Sequence, residues 1–142
     1  METQDSRLGI GDGERSLSLS DRRWIAQDSS ATCAVVLEMP GLLASRRVQI
    51  NFYYDVAAEL CELFERMAAQ WKGWQGRLTW SSADANLQLG FTHNGISHST
   101  MDVALREDPA FGWRITAEID IELGAIERLA AELRAFIDPA AV

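Results

Sequence analysis

Leu87-Gln88-Leu89-Gly90-Phe91-Thr92-His93-Asn94-Gly95-Ile96-Ser97-His98-Ser99-Thr100-Met101-Asp102-Val103 places an apolar side chain at every second position, breaks at Asn-Gly, and resumes the alternation with methionine and valine. Successive strand side chains point to opposite faces, and Asn-Gly between alternating segments signals a hairpin. The register follows from the faces. A two-residue Asn94-Gly95 turn sets Leu87, Leu89 and Phe91 on the same face as Asp102, Thr100 and His98. A three-residue loop of His93, Asn94 and Gly95, with Gly95 left-handed, aligns Leu87 with Met101 and Ala85 with Val103, so both strands are apolar on one face. The expected connection is therefore a type I turn with a glycine bulge.

The same test extends in both directions. An even-length loop around Ala83-Asp84 pairs Trp80 with Leu87 and Leu78 with Leu89. Downstream, Trp113, Ile115, Ala117, Ile119 and Ile121 alternate with Arg114, Thr116, Glu118 and Asp120, a half-buried strand with a charged outer face. Trp80, Leu78, Leu87, Leu89, Met101, Val103, Ile115 and Ile119 are the expected core, with Gln88, Thr92, Thr116 and Glu118 outside. Upstream lies Trp71-Lys72-Gly73-Trp74-Gln75-Gly76, a helix-to-strand corner. Before it, Val56, Leu60, Leu63, Phe64, Met67 and Trp71 recur at helical spacing from about Asp55 to Trp71, and Gly73 is the stop signal. Alternation predicts three earlier strands, at Ser16–Ser20, Thr32–Met39 and Arg47–Phe52, the last two separated by Pro40-Gly41. A final helix over about Ala125–Ile137 aligns Ile126, Leu129, Ala130, Leu133 and Ile137 and stops before Asp138-Pro139.

Three strands, a helix, four strands and a helix, with every strand one-sided, describe an α+β domain. The expectation is one mainly antiparallel sheet of about six to seven strands with two amphipathic helices packed on one face. Short hairpins between Gly76 and Ile121 exclude a doubly wound parallel sheet there, since parallel strands need crossovers. No internal repeat is visible. Residues 1–15 are polar and glycine-rich enough to form a flexible tail, with only Leu8 and Ile10 as apolar candidates. Residues 16–138 form the single domain and 139–142 a flexible end.

Of the 142 residues, 47% are apolar and 24% charged, with a formal net charge of −8. That balance argues against a nucleic-acid partner, whose phosphates are met by clustered Lys and Arg, and suits attraction of a basic protein. No apolar stretch approaches the roughly 20 residues of a membrane span and no secretory signal opens the chain, so no membrane association and a cytoplasmic location are expected. Cys33 and Cys61 sit in apolar-patterned segments, as reduced core thiols do.

Pro40-Gly41-Leu42-Leu43-Ala44, then the tryptophan corner, Trp80-Ser81-Ser82, the leucine-alternating strand, a histidine-containing hairpin and the Trp113 strand before an Ala-Leu helix together cover about Leu17 to Ile137. In this order they resemble a family of small bacterial proteins of unknown function, with Trp-x-Gly-Trp-x-Gly as the most specific element. The resemblance implies no activity and no catalytic residues. The hairpin departs from it, because His93-Asn94-Gly95-Ile96-Ser97-His98 is longer between histidines than a His-Asp-Gly pattern.

Residue chemistry adds little that is catalytic. Zinc takes about four N, S or carboxylate ligands, whereas neither the spacing nor the company of His93 and His98 suits a metal and the two cysteines belong to different apolar stripes, so no metal and no cofactor are expected. His98 with Asp102 or Glu118 is a conceivable acid–base pair on the outer sheet face, but it lacks a nucleophile and a pocket. Gly9-Ile10-Gly11-Asp12-Gly13 is not placed between a strand and a helix, as a phosphate loop requires. The acidic sets Glu59, Glu62, Glu65 and Glu118, Asp120, Glu122 read as solvated faces or as a docking surface, and Trp74 as a core cap or an exposed anchor. Two readings follow. One is a non-enzymatic interaction module of immunity or adaptor type, binding a basic protein through Trp74, His98, Asp102, Glu118 and Asp120. The other is a small-ligand binder or enzyme with a pocket lined by Trp71, Trp74, Trp80 and Trp113.

Overall fold

A computed structural model describes residues 7–25, 30–51 and 56–137, without the Ile25 side chain. The order is β1 (Arg7–Gly11), β2 (Ser16–Ile25), β3 (Ser30–Met39), β4 (Leu42–Asn51), α1 (Val56–Ala69), β5 (Leu78–Ser81), β6 (Leu87–His93), β7 (His98–Arg106), β8 (Arg114–Glu122) and α2 (Leu123–Ile137). The class is α+β. Instead of one sheet of six to seven strands, two antiparallel sheets form, each of four strands in sequence order, β1 to β4 and β5 to β8. The helix after β4 separates the halves, so ββββα occurs twice, a repetition that no sequence similarity announces.

The expected tail is the first correction. Residues 7–11 are a strand whose Leu8 and Ile10 are 1% and 3% exposed. They pair with Leu19 and Leu17. The connecting turn is closed by Asp12, whose carboxylate accepts the Glu14 and Arg15 N–H groups at 3.0 and 2.9 Å. Those bonds hold the Asp12 carboxyl below the usual carboxylate range. β2 also runs past Ser20 through a bulge between Ser20 and Arg23. There Asp21 has φ of 50°, and Arg47 braces it by donating to its backbone oxygen at 3.0 Å and to its carboxylate.

In the second sheet the apolar face is as expected, but both hairpins are longer. Leu87 pairs with Leu105, Leu89 with Val103 and Phe91 with Met101, rather than Leu87 with Met101. The loop lengthens because the Asn94 side chain accepts the N–H groups of Ile96, Ser97 and His98 at 2.8, 3.1 and 3.2 Å, organising the whole connection around itself. Gly95 is left-handed, with φ of 86°. Likewise Trp80 pairs with Leu89 and Leu78 with Phe91. The Ser82–Asn86 loop holds this register: the Asp84 carboxylate accepts the Ser82 hydroxyl at 2.7 Å and the Asn86 N–H at 3.2 Å. The parity is unchanged in both hairpins, so the same side chains face inward.

α1 lies along β4 and β5, α2 along β8 and β1, and the helices pack on each other. Val56, Leu60, Phe64 and Met67 are buried on α1, and Ile126, Leu129, Ala130, Leu133 and Phe136 on α2, where Phe136 takes the place expected for the half-buried Ile137. Trp71 is not in that stripe: α1 ends at Ala69, and Trp71 is 57% exposed. Inner faces of both sheets join the helices in one core cluster. Of the expected core, Trp80, Leu87, Leu89, Met101, Val103 and Ile119 are buried, whereas Leu78 and Ile115 are half-buried. The sheets are also joined directly, since Ala83 N–H donates to Gln49 O at 2.8 Å and the Asp84 carboxylate accepts Gln49 N–H at 2.9 Å. Phe52, Asp55 and the Asp138-Pro139 stop lie outside the described residues.

Leu89→Ala removes a buried side chain shared by the two hairpins and is expected to cost about 2–5 kcal/mol, the range for large-to-small core changes. Urea unfolding measures it; a loss below about 1 kcal/mol would show that Leu89 is not a packed core residue.

Candidate functional site

The sequence-nominated residues fall into separate places. Asp102, Glu118 and Asp120 share the outer face of the second sheet, where Asp102 pairs across the ladder with Glu118 and Thr100 with Asp120. Glu122, opposite His98, continues the row. Glu118, Asp120 and Glu122 are exposed. Neither helix packs on this side, because the inward-facing residues of the same strands meet the helices. Arg15 from the β1–β2 turn donates to Glu118 O at 2.9 Å, so the supposed tail abuts the acidic row.

Arg77 is the residue that sequence reasoning missed. Its Nε donates to Asp102 Oδ2 at 2.9 Å. The side chain crosses Gly90, which stands between Thr79 and Asp102 in the ladder. A Cβ added at Gly90 would overlap the Arg77 guanidinium. A glycine inside an alternating strand was the available signal, because it marks close approach of another group.

His98 and Asp102 do not form an acid–base pair. Four strand residues span about 13 Å at 3.2–3.4 Å each. Asp102 faces Arg77 instead, and His98 Nδ1 lies 2.9 Å from Ser97 Oγ. His93, by contrast, is fully engaged in structure. Its Nδ1 accepts Gly95 N–H at 2.7 Å and its Nε2 stands 3.0 Å from Trp71 O, which assigns the proton to Nε2. Trp74 packs edge-on to that ring with centroids 5.0 Å apart and donates its indole N–H to Phe91 O at 3.2 Å. Trp74 is thus a half-buried part of the corner, tied to the end of β6.

The four tryptophans do not line one pocket. Trp71 and Trp74 are at this corner, Trp80 borders a groove beside α1, and Trp113, 36% exposed, borders an apolar cleft with Leu42, Leu43 and Ile115. Among the described residues no group of three or more His, Cys, Asp or Glu is placed to hold a metal ion. No helix among them is long and apolar enough to cross a membrane. Both cysteines are buried. Burial pushes the Cys33 thiol up to about 12, with Arg47 opposing the shift and Asp84 adding to it, which is the reverse of nucleophile activation.

A model of a family of unknown function, DUF6228, matches residues 8–140 of the chain. No curated protein matches it.

Two outcomes follow from the site. Gly90→Ala displaces the flexible end of Arg77, and the lost exposed ion pair, worth about 0.2–1 kcal/mol, is offset by the smaller backbone entropy of alanine in the unfolded chain. Stability should change by less than about 1 kcal/mol, while the Arg77 Nε–H resonance moves; an unmoved resonance would contradict the close approach. For Cys33, a value raised in the folded state means that its contribution is fully present below the ordinary 9.0 and is lost as pH rises toward about 12. Denaturant midpoints should therefore fall over that interval more steeply for the natural chain than for Cys33→Val, and equal slopes would remove the argument.

Proposed function

We propose, for a chain that belongs to the DUF6228 family and receives no activity from it, that the protein is a non-enzymatic interaction module of adaptor or immunity type that holds a basic protein. The observation that carries this reading is the outer face of the second sheet. Asp102, Glu118, Asp120 and Glu122 stand there in adjacent rows of two paired strands, uncovered by either helix. The net charge of −8 reinforces the local row at long range. Asp102 is partly neutralised by Arg77, so Glu118, Asp120 and Glu122 are the groups left to steer a cationic surface. Exposed charges of this kind act mainly on encounter rate, since at about 0.1 M salt they are screened beyond roughly 10 Å. A cytoplasmic setting belongs to the same reading and is supported by two cysteines used as buried core residues.

The test begins with affinity capture from native lysate and compares association of the captured protein with the natural chain and with the double variant Glu118→Gln, Asp120→Asn. Association should slow by about tenfold or more as salt is raised from low to physiological strength, and the double variant should slow it at low salt while leaving dissociation nearly unchanged. A rate indifferent to both changes would reduce the acidic face to a solubility feature.

A further inference from the structure

β5 is the outermost strand of its sheet, with β6 on one side and, among the described residues, no strand on the other. Which of its backbone groups are open can be read from the ladder. Ser82 N–H donates to Leu87 O at 2.9 Å, so Ser82 and Leu87 form a hydrogen-bonded pair. Antiparallel pairs alternate, which makes Trp80–Leu89 and Leu78–Phe91 hydrogen-bonded pairs as well. Thr79 and Ser81, opposite Gly90 and Gln88, therefore aim their N–H and C=O groups away from β6.

That edge faces a groove rather than open solvent. The Trp80 indole N–H donates to Val56 O at 2.8 Å, and Phe64 meets Phe91 edge-on with centroids 5.3 Å apart. Because Leu78 pairs with Phe91, the start of α1 lies beside the Ser81 end of β5 and its later turns beside the Leu78 end. Between helix and strand is a groove of about 860 Å³, bordered by Thr79 and Ser81 on one wall and by Glu59, Glu62 and Arg66 on the other. Glu59, Glu62 and Arg66 are exposed. Arg77 also borders the groove, but its guanidinium lies over Gly90 and is held by Asp102, so Arg66 is the cation of this wall. Among the described residues the groove thus has an unpaired strand edge, with carboxylates towards one end and the Arg66 guanidinium at the other.

We propose that this groove receives an extended segment of a partner protein, added to β5 as a further strand, with a Lys or Arg side chain against Glu59 and Glu62 and an Asp or Glu side chain at Arg66. Strand addition satisfies the outward groups of Thr79 and Ser81, and the charge gradient along the groove fixes the segment's direction. A partner strand also meets the general need of an open edge to be paired, covered or charged. The site is separate from the acidic row of β7 and β8 and stands whether or not that row docks a basic protein.

Panning a display library of random octapeptides on the full chain tests this assignment. Enriched sequences should alternate β-branched residues and carry one basic and one acidic position. A synthetic peptide of the enriched sequence should shift the Thr79 and Ser81 amide resonances and slow their hydrogen exchange. Thr79→Pro removes an outward donor without touching the bonds to β6, as edge strands tolerate, and should weaken that peptide by about tenfold or more. Glu59→Lys with Glu62→Lys, at exposed helix positions, should invert the charge preference and serves should the proline variant fail to fold. The proposal is overturned if no sequence is enriched above background, if the peptide shifts map elsewhere, or if a folded Thr79→Pro and the charge-reversed chain both bind as the natural one does. Concentration-dependent self-association that Thr79→Pro abolishes would make the occupant a second copy of this chain and also overturn it.

Discussion

Neither four-stranded sheet can keep its apolar face dry alone, and each of the two helices packs on strands of both sheets. Leu17, Leu19, Val35, Leu37 and Val48 from the first sheet and Leu87, Leu89, Phe91, Met101 and Val103 from the second enter the same cluster as the buried stripes of α1 and α2. Burial at about 25 cal/mol per Å² of apolar surface is the main stabilising term for such a domain. It dictates most of what lies outside as well. Once one face of every strand is committed inward, Arg77, Thr79, Asp102, Glu118 and Asp120 are placed outward by parity alone.

Polar groups then fix what burial leaves free. Burial specifies which residues face inward but not how far one strand slides along another in steps of two. In both hairpins of the second sheet that choice is made by a short side chain in the loop, Asp84 in one and Asn94 in the other. Asp84 has a second role, because its other carboxylate oxygen accepts Gln49 N–H and so ties the loop to β4 of the first sheet. The tryptophan corner is held by similar means, through His93 and the indole N–H of Trp74 rather than through apolar contact alone.

The division between burial and polar chemistry explains how much of the molecule was legible in the sequence. Both helices, most of their buried stripes and most of the inner face of β5 to β8 follow from period, which is a one-dimensional signal; Trp71 and Trp113, expected in those apolar sets, are exposed, and Phe136 rather than Ile137 is buried on α2. The division into two sheets does not, because it depends on which edges meet after folding. β1 was within reach: Leu8 and Ile10 alternate like Leu17 and Leu19, and Asp12-Gly13 between them is a hairpin pair that the glycine-rich composition obscured. Among the candidate site residues, Glu118 and Asp120 were placed correctly outward by alternation. Partner identities were not legible, since Asp102 meets Arg77 across 25 positions of chain and His98 meets its neighbour Ser97 instead of a carboxylate.

The sequential strand order also bears on how the chain reaches this state. Every pairing in both sheets joins consecutive strands, so each meander can grow by closing connections of a few residues, the cheapest kind of loop closure. Folding speed follows the sequence separation of native contacts, and this arrangement keeps separation low for a chain so rich in strands. The distant partners are α1 with α2, β1 with α2 and β8, and the Asp84 loop with β4. The expected slow event is therefore the docking of two largely formed halves through their helices, in whose transition state contact residues such as Phe64 and Leu129 are already partly engaged.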